Sequence, residues 1–228
     1  MEEKENYSNS NSECEIIYDN VLRSDYRFKI ILIGNSGVGK TCIVNKAKKN
    51  KFSLDEKSTL GIEFYNINVK IDNKIINLQI WDTCGQEKYH AITKNYYAKT
   101  SLAVFIYDIT SRKSLINLEE WMDDLKNVIS PDIKMYLVGN KNDVLERDVK
   151  EDDVNKFFKN ESFIKKIETS AKEGNSCQEL FMDIAKILYE DSKKHSSKEE
   201  SLSQNKKIVN VEKEKDKEKN SNNRDCFC

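Results

Sequence analysis

The sequence predicts an α/β domain in three layers, a mostly parallel six-stranded sheet with helices on both faces. Short apolar runs alternate with amphipathic stretches through residues 25–190, and such alternation implies strands joined by helices that cover the sheet. A glycine-rich turn separates the first apolar run from the first amphipathic stretch, which orders strand, loop and helix in that sequence. The chain has only 7 glycines in 228 residues, each at or beside the carboxyl end of an expected strand or in the loop after it. Ligands bind such sheets at those ends.

The elements follow in order. Phe28 to Ile33 is a β-branched run and makes the first strand, with a helix starting at Thr41. Phe64 to Ile71 and Ile75 to Trp81 alternate apolar and polar residues around Asp72-Asn73, a hairpin signal. Leu102 to Tyr107 and Met135 to Val138 are continuously apolar and read as buried strands. Between them Leu115, Leu118, Trp121, Leu125 and Val128 recur at helical spacing, and Pro131 falls just past the end. A last strand, Phe163 to Ile167, precedes a helix carrying Leu180, Ile184 and Leu188 on one stripe.

Composition bounds the rest. Residues 1–24 carry six acids against Lys4 and Arg23, with a Ser/Asn run from Ser8 to Ser12, and read as a disordered extension. Residues 191–228 mix Lys, Glu, Ser and Asn, with Leu202, Ile208, Val209 and Val211 as the only larger aliphatic side chains before the last residues, and read as a flexible tail. Residues 25–190 are then one domain. The formal net charge of -1 provides no field for general nucleic-acid binding, so no nucleic-acid partner is expected. The longest apolar run, Leu102 to Tyr107, is far short of the roughly 20 residues of a membrane span. Met1-Glu2-Glu3-Lys4 offers neither a secretory core nor a glycine for myristoylation, so a cytosolic chain is expected. Cys14, Cys42, Cys84 and Cys177 form no C-x-x-C pair and read as reduced thiols.

Gly34-Asn35-Ser36-Gly37-Val38-Gly39-Lys40-Thr41 fits G-x-x-x-x-G-K-[ST], between an expected strand and an expected helix. Glycines let the backbone wrap a phosphate chain with its N–H groups inward, and the helix N-terminus adds positive potential. In that arrangement Lys40 reaches the β- and γ-phosphates and the Thr41 hydroxyl binds Mg²⁺. The loop alone does not choose between ATP and GTP. Asn140-Lys141-Asn142-Asp143 follows a later strand and therefore lies at the same sheet edge. A carboxylate there accepts from both N1–H and the N2 amine of guanine, a donor pair adenine lacks, and Asp143 is the candidate. Ser170-Ala171-Lys172 follows the last strand, where a backbone N–H donates to the guanine O6.

Trp81-Asp82-Thr83-Cys84-Gly85-Gln86-Glu87 supplies the remaining chemistry. Asp82 ends an apolar strand, as a carboxylate holding Mg²⁺ through a water must. Gly85 offers an N–H to the γ-phosphate, and Gln86 orients an attacking water. Thr59, on the loop before the next strand, adds a second hydroxyl for the ion.

On these motifs residues 25–190 resemble the Ras-like small GTPases, and within them the Rab proteins. Leu60-Gly61-Ile62-Glu63-Phe64, Trp81-Asp82-Thr83, Tyr96-Tyr97, Tyr107-Asp108-Ile109-Thr110 and the terminal Cys226-Phe227-Cys228 carry the Rab likeness. The resemblance implies a P-loop fold and a GTP/GDP-operated switch in vesicle traffic. It places Asn35 to Cys42 on the phosphates, Phe52 on the base, and Leu60 to Phe64, Trp81 and Tyr96 on effectors. It further implies an exchange factor, an activating protein, a GDP dissociation inhibitor and a prenylation escort protein as partners. Cys226 and Cys228 would carry two geranylgeranyl groups and anchor the chain to the cytoplasmic face of endomembranes, cycling with the cytosol. No arginine finger is offered in cis; relatives without one hydrolyse GTP at roughly 10⁻⁴ s⁻¹ and gain about 10⁵-fold from an activator.

The chain departs from the usual Rab pattern at Cys84 for Ala, Lys88 for Arg, and Ala98-Lys99-Thr100 for Arg-Gly-Ala. None of these removes a phosphate or metal ligand. They alter the second switch, and they leave open a reading from another class, a nucleotide-locked docking module without useful turnover. An ATPase or kinase fits poorly with Asp143.

Overall fold

A computed structural model of the chain describes residues 14–18, 23–49, 59, 61–85, 95–129, 132–159, 161, 163–174 and 176–195. Its strands are β1 (Cys14–Ile17), β2 (Tyr26–Ile33), β3 (Ile62–Ile71), β4 (Lys74–Thr83), β5 (Leu102–Asp108), β6 (Lys134–Asn140) and β7 (Phe163–Glu168). The helices are α1 (Lys40–Lys49), α2 (Arg112–Ile116), α3 (Leu118–Val128), α4 (Glu151–Phe157) and α5 over residues 176–195.

The strands form one seven-stranded sheet in the order β1-β3-β4-β2-β5-β6-β7. β2 pairs in parallel with both β4 and β5, and β5-β6 and β6-β7 are parallel too. The chain leaves β2 for neighbours on either side, so a crevice opens at its carboxyl end, where the phosphate loop begins. β3 and β4 form the expected hairpin, with Ile71 opposite Lys74 across the turn. Asp72 takes a φ of 53° there, a left-handed conformation that short polar side chains tolerate.

Two expectations are corrected. The sheet has seven strands, because Cys14 to Ile17, inside the stretch read as a disordered extension, pairs antiparallel with β3, Ile16 opposite Val69. The acidic average of residues 1–24 hides four residues with two β-branched isoleucines, and Glu15 meets Lys70 at 3.2 Å. The single helix expected through Leu115 and Val128 is two, α2 and α3, joined at Asn117. Its N–H still donates to Lys113 and Leu115 carbonyls, while Ser111 caps α2 by accepting from the Ser114 N–H. α4 was not expected: Glu151-Asp152-Asp153 gives it an acidic first turn that favours the helix dipole, yet Val154 is its only buried residue.

Alternation along the buried strands sorts the core into two layers. Ile31, Ile33, Ala103, Phe105, Met135 and Leu137 pack with Leu115, Leu118, Trp121, Leu125, Val154 and Phe158 from α2, α3 and the α4 region. Ile30, Leu32, Val104, Ile106 and Val138 are buried on the opposite face. Tyr136 on that face donates its hydroxyl to Asp183 of α5 at 2.8 Å. Each such side chain removed from water contributes roughly 1.5–3 kcal/mol.

The chain divides into two compact units, residues 1–186 and 187–228. In the second, residues 187–195 are helical, so the tail read as starting at 191 is ordered for its first five residues. Lys193 Nζ lies 4.0 Å from the centre of the Tyr189 ring. No helix among the described residues is long and apolar enough to cross a membrane.

Candidate nucleotide-binding site

The loop after β2 turns back over the end of the sheet and leads into α1. Gly39 has a φ of 97°, and a Cβ there would lie 2.2 Å from Asn140 Nδ2, so the loop closes against the loop after β6 only because this residue has no side chain. Lys40 is buried, and its Nζ donates to the Gly34 carbonyl at 2.7 Å and the Asn35 carbonyl at 3.1 Å. Burial lowers its pKa to about 8 against the opposing attraction of Asp82.

Three oxygen-bearing side chains from three separate segments meet beside it. Thr41 Oγ1, at the start of α1, donates to Asp82 Oδ2 at 2.5 Å and lies 2.9 Å from Thr59 Oγ1. Asp82 is fully buried at the end of β4, and burial raises its carboxyl to about 6, opposed by Lys40 and by the Thr41 hydrogen bond. Its Oδ1 is buried without a hydrogen-bond donor. Two hydroxyls and a carboxylate with an oxygen to spare are hard ligands suited to Mg²⁺; the residues present therefore fit the ion that the sequence predicts.

Gly85 abuts the phosphate loop. Its carbonyl accepts from Ser36 N–H at 2.8 Å, and a Cβ on it would stand 2.3 Å from the Asn35 carbonyl carbon. Cys84, buried, donates its N–H to the Gly61 carbonyl at 2.9 Å, which ties the segment after β4 to the start of β3.

The loops after β6 and β7 are joined to the phosphate loop through Asn140. Its Nδ2 donates to the Val38 carbonyl at 2.8 Å, and its Oδ1 accepts from Ala171 N–H at 3.1 Å and from Thr169 Oγ1 at 3.3 Å. Sequence reasoning marked Asn140 for the nucleotide but not this bridging role. Of the backbone N–H groups in the 170–172 loop, from which a donor to guanine O6 is expected, that of Ala171 is taken up by Asn140. Asp143 Oδ1 accepts from Ser170 Oγ at 2.7 Å, and Oδ2 lies 3.7 Å from Lys172 Nζ. Lys141 has a φ of 72° and an ion pair with Asp108 at 2.6 Å. Strand register makes that partner: Asp108 stands opposite Asn140 on the neighbouring strand, a pairing no local motif marks.

Three aromatic residues expected to meet effectors lie side by side. Phe64 meets Trp81 edge-on with ring centres 5.4 Å apart, and Trp81 lies 5.6 Å from Tyr96. Phe64 is 48% exposed. Lys29 was missed: its Nζ stands 4.5 Å from the Trp81 ring centre and donates to the Tyr96 and Ala98 carbonyls at 2.6 and 2.9 Å. Gly61, Ile62 and Glu63 lead into that group at the start of β3. Phe52, Leu60, Gln86, Lys88, Cys226 and Cys228 lie outside the described residues.

A phosphate loop at the switch point of a mostly parallel sheet, with a carboxylate-bearing loop two strands away, is the arrangement of a P-loop nucleotide-binding protein. A sequence profile of the Ras family matches residues 29–190. The chain is 39% identical over 165 residues to the Ras-related protein RABA1b of Arabidopsis thaliana, covering 72% of this chain and 76% of that protein. It is 40% identical over 168 residues to the Ras-related protein Rab-11B of Dictyostelium discoideum, covering 74% and 76%. The GTP-binding protein ypt3 of Schizosaccharomyces pombe matches at 39% over 165 residues, covering 72% and 77%. The chain belongs to the Ras family as a Rab-type small GTPase, a GTP-binding and GTP-hydrolysing switch of membrane traffic.

Proposed function

We propose that residues 35–42, Thr59, Gly85, Asn140, Lys141, Asp143 and residues 170–172 hold GTP or GDP, with Phe52 on the base, and that Thr41, Thr59 and Asp82 hold Mg²⁺. The observation that carries this reading is the Asn140 bridge from the phosphate loop at Val38 to the loop at Ala171, which joins three strand ends around one crevice. Asp143, braced by Ser170, reads the N1–H and N2 edge of guanine. When bound, Mg²⁺ neutralises charge on the β- and γ-phosphates. Lys40, held at the phosphate loop by the Gly34 and Asn35 carbonyls, reaches the phosphate oxygens, Gln86 orients the attacking water, and the activating protein supplies the missing arginine.

In the GTP state Thr59 and Gly85 are tethered to the γ-phosphate, and hydrolysis releases them. The Phe64-Trp81-Tyr96 face, with residues 60–63, then presents or withdraws its docking geometry for effectors. Cys226 and Cys228 carry geranylgeranyl groups at the end of a polar spacer, so that two chains make a stable anchor on endomembranes. A GDP dissociation inhibitor and a prenylation escort protein handle the lipidated chain.

The test is single-turnover hydrolysis of GTP bound to purified protein, with ATP as competitor. We expect slow turnover that ATP does not compete away and that Gln86→Leu slows further. Tight guanine nucleotide binding with equal rates in parent and Gln86→Leu would remove Gln86 from its assigned role.

A further inference from the structure

We infer that Asp108 is a positioning residue for the bound nucleotide: it holds the Lys141 ammonium against the phosphate-loop crevice and thereby slows nucleotide release. The inference rests on the nucleotide site proposed above and adds a member to it.

Asp108 ends β5, and its side chain is only 10% exposed. Every direction around its carboxylate is used. Oδ1 accepts from the Thr110 N–H at 2.9 Å and the Thr110 hydroxyl at 2.7 Å, and Oδ2 faces Lys141 Nζ at 2.6 Å. Its main chain is fixed as firmly, since the Asp108 N–H donates to Ser114 Oγ and its carbonyl accepts from the Ser111 N–H. The carboxylate is thus aimed before any ligand arrives. Lys141, by contrast, is 38% exposed and rests on a left-handed backbone that side chains of this kind rarely adopt. A flexible four-carbon ammonium in that setting needs a partner to keep one direction.

Location turns this ion pair into a ligand-directed one. Asp108 lines a cleft of about 190 Å³ together with Asn35, Ser36, Gly37 and Val38 of the phosphate loop. Lys141 follows directly on Asn140, whose Nδ2 is bonded to Val38 in that same loop. The ammonium is therefore held at the margin of that cleft, 2.6 Å from one of its lining carboxylates, within reach of a nucleotide seated on the phosphate loop. Its loss of direction weakens the ligand without touching Asp143 or Lys40.

The variant that isolates the pair is Asp108→Asn, which keeps an acceptor for Thr110 and turns an amide toward Lys141. The probe is N-methylanthraniloyl-GDP, preloaded on the full chain and chased with excess GDP, so that only folded, loaded molecules are read. Asp108→Asn is expected to speed release about tenfold in the parent, and to change it less than about twofold in a Lys141→Met background, because the residue acts through that lysine. Equal acceleration in both backgrounds would reduce Asp108 to a prop for the β5 loop and overturn the inference, as would an unchanged rate in the parent. Parent protein that retains no N-methylanthraniloyl-GDP would sink the nucleotide-site reading first, and this inference with it.

Discussion

Around Asn140 each polar need is met by a neighbouring protein group, whereas around Lys40 and Asp82 the same fold buries two charges and leaves one carboxylate oxygen without a donor. On the base side, Asn140 has three protein partners, Asp143 is braced by Ser170, and Asp108 by Thr110. On the phosphate side, burial lowers the Lys40 pKa to about 8, raises that of Asp82 to about 6, and leaves one oxygen of Asp82 without a donor. The base half is a prebuilt reader, in which the Asn140 amide and the Asp108 and Asp143 carboxylates all have donors or acceptors within the protein. The phosphate half is electrostatically unfinished, which suits a site whose anion and cation alter the loops around them.

The largest effect that sharpens this contrast is on stability. Asn140→Ala strands a buried N–H and a buried carbonyl, and we expect a loss of about 3–5 kcal/mol in urea unfolding of the nucleotide-free chain. A loss below about 1 kcal/mol would mean that the base half is not prebuilt.

The next is a pH dependence with opposite signs at its two ends. Asp82 is raised in the fold, so the folded state binds more protons than the unfolded one between about 4 and 6, and stability falls as pH rises through that interval. The full excursion is about 3 kcal/mol. Lys40 is lowered, so the unfolded state binds more protons above about 8, and stability rises again towards pH 10. Unfolding of nucleotide- and magnesium-free protein across pH 4–10 checks both limbs; Asp82→Asn should flatten the acid limb and, by withdrawing its attraction from Lys40, steepen the basic one.

Third, Lys40→Met should weaken GDP binding about 100-fold by fluorescence titration. It should lower the melting temperature of the empty protein less than Asn140→Ala does, because the lost counter-charge for Asp82 and the two lost carbonyl hydrogen bonds are offset by removal of a buried charge. A melting temperature that fell in step with affinity would place Lys40 among the structural residues and erase the distinction between the halves.

Much of this was legible in the sequence because strand ends and glycines are local signals. Gly39, Lys40, Thr41, Asp82, Asn140 and Asp143 each fall where an apolar run stops, and a parallel sheet gathers such ends at one edge. What was hidden depends on lateral register. That Asp108 stands opposite Asn140, or that Lys29 reaches the Trp81 ring, follows from how β2, β4, β5 and β6 align, which no single segment reveals. β1 was hidden by its acidic surroundings. The departure at Lys99 acquires a physical meaning only in three dimensions. Its φ is 59°, a left-handed position where the usual Rab glycine costs nothing and lysine costs on the order of 1 kcal/mol. Lys29 and the Thr100 N–H, bonded to the Tyr97 carbonyl, hold the turn regardless.

The amino-terminal strand has a consequence for how the protein behaves in company. β3 is ten residues long, and β1 covers its outer side from Asn68 to Ile71. A chain begun after Tyr18 would bare that backbone row, a ready template for a strand from another molecule. Four residues at the sheet margin therefore replace that part of the β3 edge with a shorter one, and a tag or truncation at this end is expected to bear on solubility before it touches nucleotide chemistry.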